Sequence, residues 1–434
     1  MVYIINNNRN KQNLKKNAFI ARKSKVKSNK GFFVRKFVEF CNRTDLHGYK
    51  YIVMEELTYL ERSCWAVAVL VSVVIGIYFV ISAYKWYARN PIVTVIESTQ
   101  GAIWDVPFPA VTICDLNLIS RRAARAFANN LTILPENVTA EFIFETVRYA
   151  PLLHATYIVT REQKRSLHKL QTVLDINNIS MEQLFRQLSP VTNCDQLVER
   201  CMWKNTVYRC DQLFQQVFTL QNMCCSFNYY AVEGESESSK NSGSPRRVAS
   251  CGYQTALTVL LNTETDDYYS ALLASQGALV FIDDAYNVPD IDSPVRLINP
   301  STEVMIALSP EFTYSTPGIR AFAPEQRQCY FYNEIKIGNF KQYSFHNCVT
   351  LKKVELLKEM CECIPFYFPL KDFYRTCNFH DMECLENVIR LDKFESETSS
   401  AIDCLPECEH FNYDFEVALG TLAKTIKLNG HPFL

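Results

Sequence analysis

CWAVAVLVSVVIGIYFVISAY, residues 64–84, decides how the rest of this 434-residue chain is read. Twenty-one residues pass without a charge, between Glu61-Arg62 and Lys85. A hydrocarbon core about 30 Å thick needs about 20 apolar residues in a helix, so the run predicts a membrane span over residues 63–85. A cleaved signal peptide would have a shorter apolar core nearer the N-terminus and a small-residue cleavage site. A buried core helix explains so uniform a run poorly. Tyr84, Trp86 and Tyr87 then stand where an interfacial aromatic belt belongs.

Charge sets the expected orientation. Residues 1–62 carry 14 Lys/Arg against 5 Asp/Glu, whereas the remainder carries 31 against 41, so the overall net charge of -1 hides a strong asymmetry. A basic arm on an acidic body is compatible with nucleic-acid binding, but a basic arm beside a membrane span is the cytoplasmic flank. The expectation is a cytoplasmic N-terminal segment over 1–62, an extracellular body over 86–434, contact with membrane lipid and no nucleic acid. With 48% hydrophobic and 21% charged residues, the chain is neither disordered nor fibrous.

Cysteine usage points the same way. Fifteen of the 17 cysteines follow the span, a density that reads as a disulfide framework in an oxidising compartment. Cys361-Glu-Cys363 alone could suggest zinc, but His346, His380 and His410 are scattered, and no metal is expected. Asn130, Asn137 and Asn178 head glycosylation sequons in the outer body; Asn42 heads one in the cytoplasmic segment and should stay unmodified.

Residues 1–30 read as a disordered polar arm, and Phe32–Phe40 as a short helix before the membrane. Strands are expected at Phe108–Cys114, Leu257–Leu261, Leu279–Ile282 and Val304–Leu308. Leu213, Phe214, Val217 and Phe218 mark a helical face, as do Leu351, Val354 and Leu357, and Leu385, Val388 and Ile389; each reads as core packing rather than a binding surface. Glu233–Pro245 reads as a polar loop, and no internal repeat occurs. The fold class is α+β. No G-x-S-x-G, H-E-x-x-H or glycine-rich phosphate loop occurs, and Asp283-Asp284 reads as a turn or solvated edge before an acid/base pair, so no enzyme is expected.

Several landmarks in order carry a family resemblance: Cys41-Asn-Arg-Thr-Asp-Leu-His47-Gly48, Phe108-Pro-Ala-Val-Thr-Ile-Cys114, Cys224-Cys-Ser-Phe-Asn228, Arg327-Gln-Cys329, Glu334, Tyr343-Ser344, Asn347-Cys348, Cys361-Glu-Cys363, Cys377, Cys384 and Cys404-Leu-Pro-Glu-Cys408. Over residues 41–408 the chain resembles the degenerin/epithelial sodium channel family, and within it the insect pickpocket subunits. The resemblance implies a plasma-membrane, amiloride-sensitive sodium channel subunit, working as a homo- or hetero-trimer. It implies two membrane helices around a palm, finger and thumb ectodomain, with the thumb near 329–408. Sodium is the transported ion, and no cofactor is implied. His47 and Gly48 take the place of the family's gating motif, although a plain turn before a helix has the same local chemistry.

By position, the resemblance implies the bridges Cys114–Cys224, Cys201–Cys210, Cys329–Cys408, Cys348–Cys404, Cys361–Cys384 and Cys363–Cys377. Bridges of this kind contribute about 2–4 kcal/mol each. Cys194, Cys225 and Cys251 remain, so at least one thiol is unpaired or bonded to another chain. A further thumb bridge common in the family is absent, since Lys352 and Ile402 stand where its cysteines would. Asp283 stands where many relatives have His, so no acid- or metal-sensing role that rests on that His carries over.

Only 26 residues follow Cys408, and they hold no second apolar run and no Gly-x-Ser filter. The expectation is a channel subunit truncated before its pore filter; the alternative is a single-pass modulatory subunit or cysteine-rich receptor that forms no pore itself. Ion selection needs pore-lining oxygens or charges at close quarters. The 434 residues expressed alone are therefore expected to give no amiloride-sensitive sodium current, with surface labelling alongside the recording to separate a missing filter from retention inside the cell. Glycosidase should shift mobility through Asn130, Asn137 or Asn178; sugar on Asn42 would reverse the orientation.

Overall fold

A computed structural model of the chain describes residues 31–89, 92–233, 243–290, 293–368, 374–390 and 404–422. The arm expected over 1–30, residues 234–242 of the loop and Ile402 lie outside them. The chain divides into two compact units, Met1–Val93 and Thr94–Leu434.

The first unit holds α1 (Phe32–Arg43), α2 (Tyr49–Val53) and α3 (Tyr59–Arg89). Helix α3 starts at a reciprocal cap, in which the Thr58 amide donates to the Glu61 carboxylate at 2.8 Å and the Glu61 amide to the Thr58 hydroxyl at 3.4 Å. At about 1.5 Å per residue its 31 residues run about 46 Å, longer than a hydrocarbon core. None of its residues is buried. Among the described residues it is the one helix long and apolar enough to cross a membrane.

The second unit contains, in chain order and leaving aside its shortest turns, β1 (Ala110–Asp115), α4 (Arg121–Asn130), α5 (Ala140–Val147), α6 (Arg161–Ile176), α7 (Met181–Leu188), β2 (Val198–Trp203), β3 (Thr206–Tyr208), β4 (Phe214–Thr219), β5 (Asn222–Phe227), β6 (Leu257–Leu261), β7 (Ala278–Asp283), β8 (Val295–Ile298), β9 (Thr302–Thr313), α8 (Phe345–Cys361), α9 (Met382–Arg390) and β10 (His410–Thr421). The main sheet has the order β8-β7-β1-β5-β4, antiparallel throughout. Strand β1 pairs on both sides and is buried along its whole length, which is why it reads as a continuous apolar run rather than an alternating one. Thr112, its polar interruption, bonds the Ser226 hydroxyl across the ladder at 2.7 Å. A smaller sheet β3-β2-β6, the ribbon β9-β10, paired from Thr302↔Thr421 to Thr313↔His410, and a short pair between Ile119–Ser120 and Tyr268–Ser270 complete the strands of the described residues.

Helices α4 to α7 form a lobe whose starts are written in the sequence. Ser120 and Thr139 cap α4 and α5, and Thr160 with Gln163 and Ser180 with Gln183 form capping boxes on α6 and α7. Their inner faces share one core with Leu356, Leu357, Met382, Leu385 and Val388 of the cysteine-rich lobe. At the base of that lobe the buried Arg327 guanidinium donates to the carbonyls of Cys329 and Phe322 and pairs with Glu334. A buried charge is tolerable only with such full satisfaction.

One expectation fails. Leu213, Phe214, Val217 and Phe218 do not form a helical face: a single turn, Cys210–Leu213, gives way to strand β4, which returns through Leu220-Gln221 into β5. Phe214 and Val217 belong to different core clusters, so the stripe is split between surroundings. A four-residue apolar pattern does not separate the helical period from the strand period, and the hairpin partner decided it.

At the end of β1, Asp115 is only 5% exposed and accepts from the Asn117 amide at 2.8 Å and the Tyr268 hydroxyl at 3.1 Å. Burial outweighs these bonds and pushes its pKa up to about 6 from 3.8. A carboxyl whose folded pKa is raised binds its proton more tightly in the native state, so its contribution to stability is full below pH 3.8 and is lost as pH rises through 6. Asp115→Asn keeps an acceptor for both donors without the charge. We expect it to flatten the pH dependence of unfolding between pH 4 and 6.5 and to raise stability at pH 7.4 by up to about 3 kcal/mol. An unaltered thermal unfolding profile would count against a desolvated carboxylate.

Candidate gating segment

Residues 44–58 fold back along the first turns of α3, and the geometry of that return centres on Gly48. The Leu46 amide donates to the Thr44 hydroxyl at 3.3 Å, the chain turns, and α2 begins with the Tyr51 amide bonded to the Gly48 carbonyl at 3.2 Å. Gly48 is buried with φ +90°, in the left-handed region that side chains disfavour. A Cβ built there would lie 2.8 Å from Val69 Cγ2 and 3.6 Å from Trp65. Both backbone angle and space therefore demand glycine. His47 beside it is exposed.

Two ring contacts fix the segment. Tyr51 stacks on Trp65 of α3 with centroids 4.7 Å apart, and Phe40 of α1 meets Tyr49 edge-on at 6.0 Å. Cys41, behind this pair, is buried, and burial raises its thiol pKa. Val69 lies five residues into the uncharged run, about 7–8 Å along the helix from Cys64. A turn at that depth holds amides that lipid cannot satisfy, so with α3 in a bilayer the open side of residues 44–48 must face water or protein.

Elsewhere the cysteines lie as seven bonds: Cys114–Cys224, Cys194–Cys225, Cys201–Cys210, Cys329–Cys408, Cys348–Cys404, Cys361–Cys384 and Cys363–Cys377. The Cys194–Cys225 bond is the one the resemblance left open, and Cys251 is exposed and free. Neighbouring strand residues point to opposite faces, so Cys224 reaches its in-register partner on β1 while Cys225 reaches the turn at Cys194. That alternation was the available signal for the missed pair. Asp381 approaches Cys363 and Cys377, but those sulfurs are bonded to each other and offer no thiolate. Asp283 accepts from Asn287 and Ser293 at 3.0 and 3.2 Å, and Asp284 from the Tyr286 amide at 2.9 Å, so the acidic pair builds the turn after β7. Asn130, Asn137 and Asn178 are all exposed on the helical lobe.

Residues 40–430 match the family described as amiloride-sensitive sodium channel. The chain is 28% identical over 401 residues to sodium channel protein Nach of Drosophila ananassae, across 91% of this chain and 74% of that one. Pickpocket protein 28 of Drosophila melanogaster is 23% identical over 414 residues, 87% of this chain and 64% of its own length. The human bile acid-sensitive ion channel is 25% identical over 335 residues, covering 76% and 59%. The matched stretch takes in the Gly48 turn, α3, the sheets and both lobes.

Gly48→Ala should cost about 1–2 kcal/mol in backbone strain alone and loosen α2 from α3. Protease cleavage within 44–58 should rise accordingly. Adding Val69→Ala removes the side-chain clash but leaves the strain, so it should restore protection only in part.

Proposed function

The chain belongs to the amiloride-sensitive sodium channel family, and from that premise we propose that it is a subunit of a sodium-selective, amiloride-sensitive channel of the plasma membrane. It assembles with other channel subunits as a homo- or hetero-trimer, with the basic N-terminal segment in the cytoplasm and the disulfide-rich unit outside. The observation that carries this reading is the match over residues 40–430, which joins a turn demanding glycine at Gly48 to an apolar helix and a disulfide-rich body.

The Gly48 turn is the gating element of this subunit. A contact made through a missing side chain holds α2 close to α3, and any tilt or rotation of α3 carries Trp65 and Val69 against it. The turn then moves with the helix, and His47 with it. Packed contacts of this kind are bistable rather than elastic, so two discrete positions of the turn correspond to two conductance states. Asn130, Asn137 and Asn178 carry sugar on the outer surface.

The test is co-expression of the chain with a full-length sodium channel subunit of the family, with surface labelling alongside the recording. We expect the two to co-purify, to give an amiloride-sensitive sodium current, and Gly48→Ala to lower open probability at unchanged surface level. A chain that reaches the surface, co-purifies with no channel subunit and leaves the current unaltered would refute the assignment.

A further inference from the structure

Helix α1, FFVRKFVEFCNR, is divided lengthwise into two unlike halves. At about 100° per residue, Phe33, Val34, Phe37, Val38, Phe40 and Cys41 fall within about 160° of its circumference, and Arg35, Lys36, Glu39 and Arg43 take the opposite side. Only the inner edge of the apolar half is covered. Cys41 is buried, Val38 is half-buried and Phe40 meets Tyr49 of α2, whereas Phe33 is 85% and Phe37 48% exposed, with Val34 exposed beside them. The polar half is cationic: Lys36 and Arg43 both pair with Glu39, at 3.0 and 3.3 Å, and Arg35 adds a third positive charge. Residues 1–30, just ahead of the helix, carry nine Lys/Arg and no Asp/Glu.

What covers the apolar half follows from where α1 ends. The Thr44 amide donates to the Phe40 carbonyl at its last turn, Phe40 meets Tyr49, and Tyr51 on Trp65 with Gly48 against Val69 ties α2 to the first turns of α3. Helix α1 therefore departs from the end of the apolar span itself. Its 12 residues run about 18 Å, too short to cross a hydrocarbon core of about 30 Å, and its charges bar it from lying wholly inside one. In water the phenylalanines are stranded; in hydrocarbon the cations are. The boundary between headgroups and acyl chains satisfies both halves, and the cations select an anionic leaflet. We propose that α1 lies in the plane of the bilayer beside the start of α3, with Phe33, Val34 and Phe37 among the acyl chains and its basic half on anionic phospholipid. The basic residues of 1–30 add to the same attraction. This placement rests on the reading of α3 as a membrane span. Seated on lipid, α1 also braces the Gly48 turn, because Phe40 and Thr44 join the two.

The experiment is nitroxide scanning of the full chain in lipid nanodiscs, with oxygen and a water-soluble nickel chelate as relaxants. The three free cysteines are first removed as Cys41→Ala, Cys64→Ser and Cys251→Ser, and single cysteines are then labelled in turn. In phosphatidylcholine discs containing phosphatidylserine, labels at Phe33→Cys, Val34→Cys and Phe37→Cys should read about 5–10 Å into the boundary, rich in oxygen and shielded from nickel. Labels at Arg35→Cys, Lys36→Cys and Glu39→Cys should show the reverse, so the scan oscillates with the helical period. In phosphatidylcholine alone, or with Arg35→Gln, Lys36→Gln and Arg43→Gln together in the anionic discs, the Phe33→Cys label should move toward water. A label at Val74→Cys, midway along α3, reports on the premise: nickel reaching it would remove the membrane span and this placement with it. With Val74→Cys shielded, nickel reaching every α1 label would overturn the proposal alone. Protection of the Phe33→Cys and Phe37→Cys labels from both relaxants would overturn it too, and assign the face to protein. Equal depth with and without phosphatidylserine would overturn the anionic preference.

Discussion

The main sheet of the second unit hangs from the double pairing of β1. A strand with a ladder on each side has all its backbone groups satisfied without water, so it can be buried on both faces, and six consecutive residues here are. One face gives Val111 and Ile113 to the core shared with the small sheet and the ribbon; the other gives Cys114 to a cluster with Leu116 and Phe281. Remove that pairing and neither cluster has a second wall.

The disulfides then work at two scales. Cys114–Cys224 joins residues already opposite each other in the ladder, whereas Cys194–Cys225 ties the sheet to a turn outside it. In the cysteine-rich lobe, Cys361–Cys384 joins α8 to α9, and Cys363–Cys377 closes the 14-residue separation between them. Ile364, Phe366 and Phe379 of that connection also pack into the neighbouring cores, so the cross-links hold a segment that apolar contact fixes as well.

What the sequence made legible follows from which contacts are local. The membrane helix, the strands at 110–115, 257–261 and 278–283, and helices α8 and α9 announce themselves through composition or period. Caps such as Thr160 with Gln163 are local too. The segment 214–218 was misread because its register is set by β5, not by its own residues. At the candidate site, glycine at 48 stood out, but Val69 and Trp65, the atoms that make it necessary, lie some twenty residues on and reach it only through the fold-back.

Thr139 and Ser180 have two claims upon them. Each is the hydroxyl residue of a sequon, headed by Asn137 and Asn178, and each hydroxyl also accepts a backbone amide at the start of a helix, from Phe142 at 3.1 Å and Gln183 at 3.2 Å. Once α5 and α7 have formed, those oxygens are engaged and the asparagines sit at a helix entrance, Asn178 in a left-handed conformation with φ 54°. Sugar transfer needs the same hydroxyl and a pliable backbone. Any modification proposed for these two asparagines therefore has a deadline: it would have to precede the capping of the helices, and a helical lobe that folded too quickly would leave them bare.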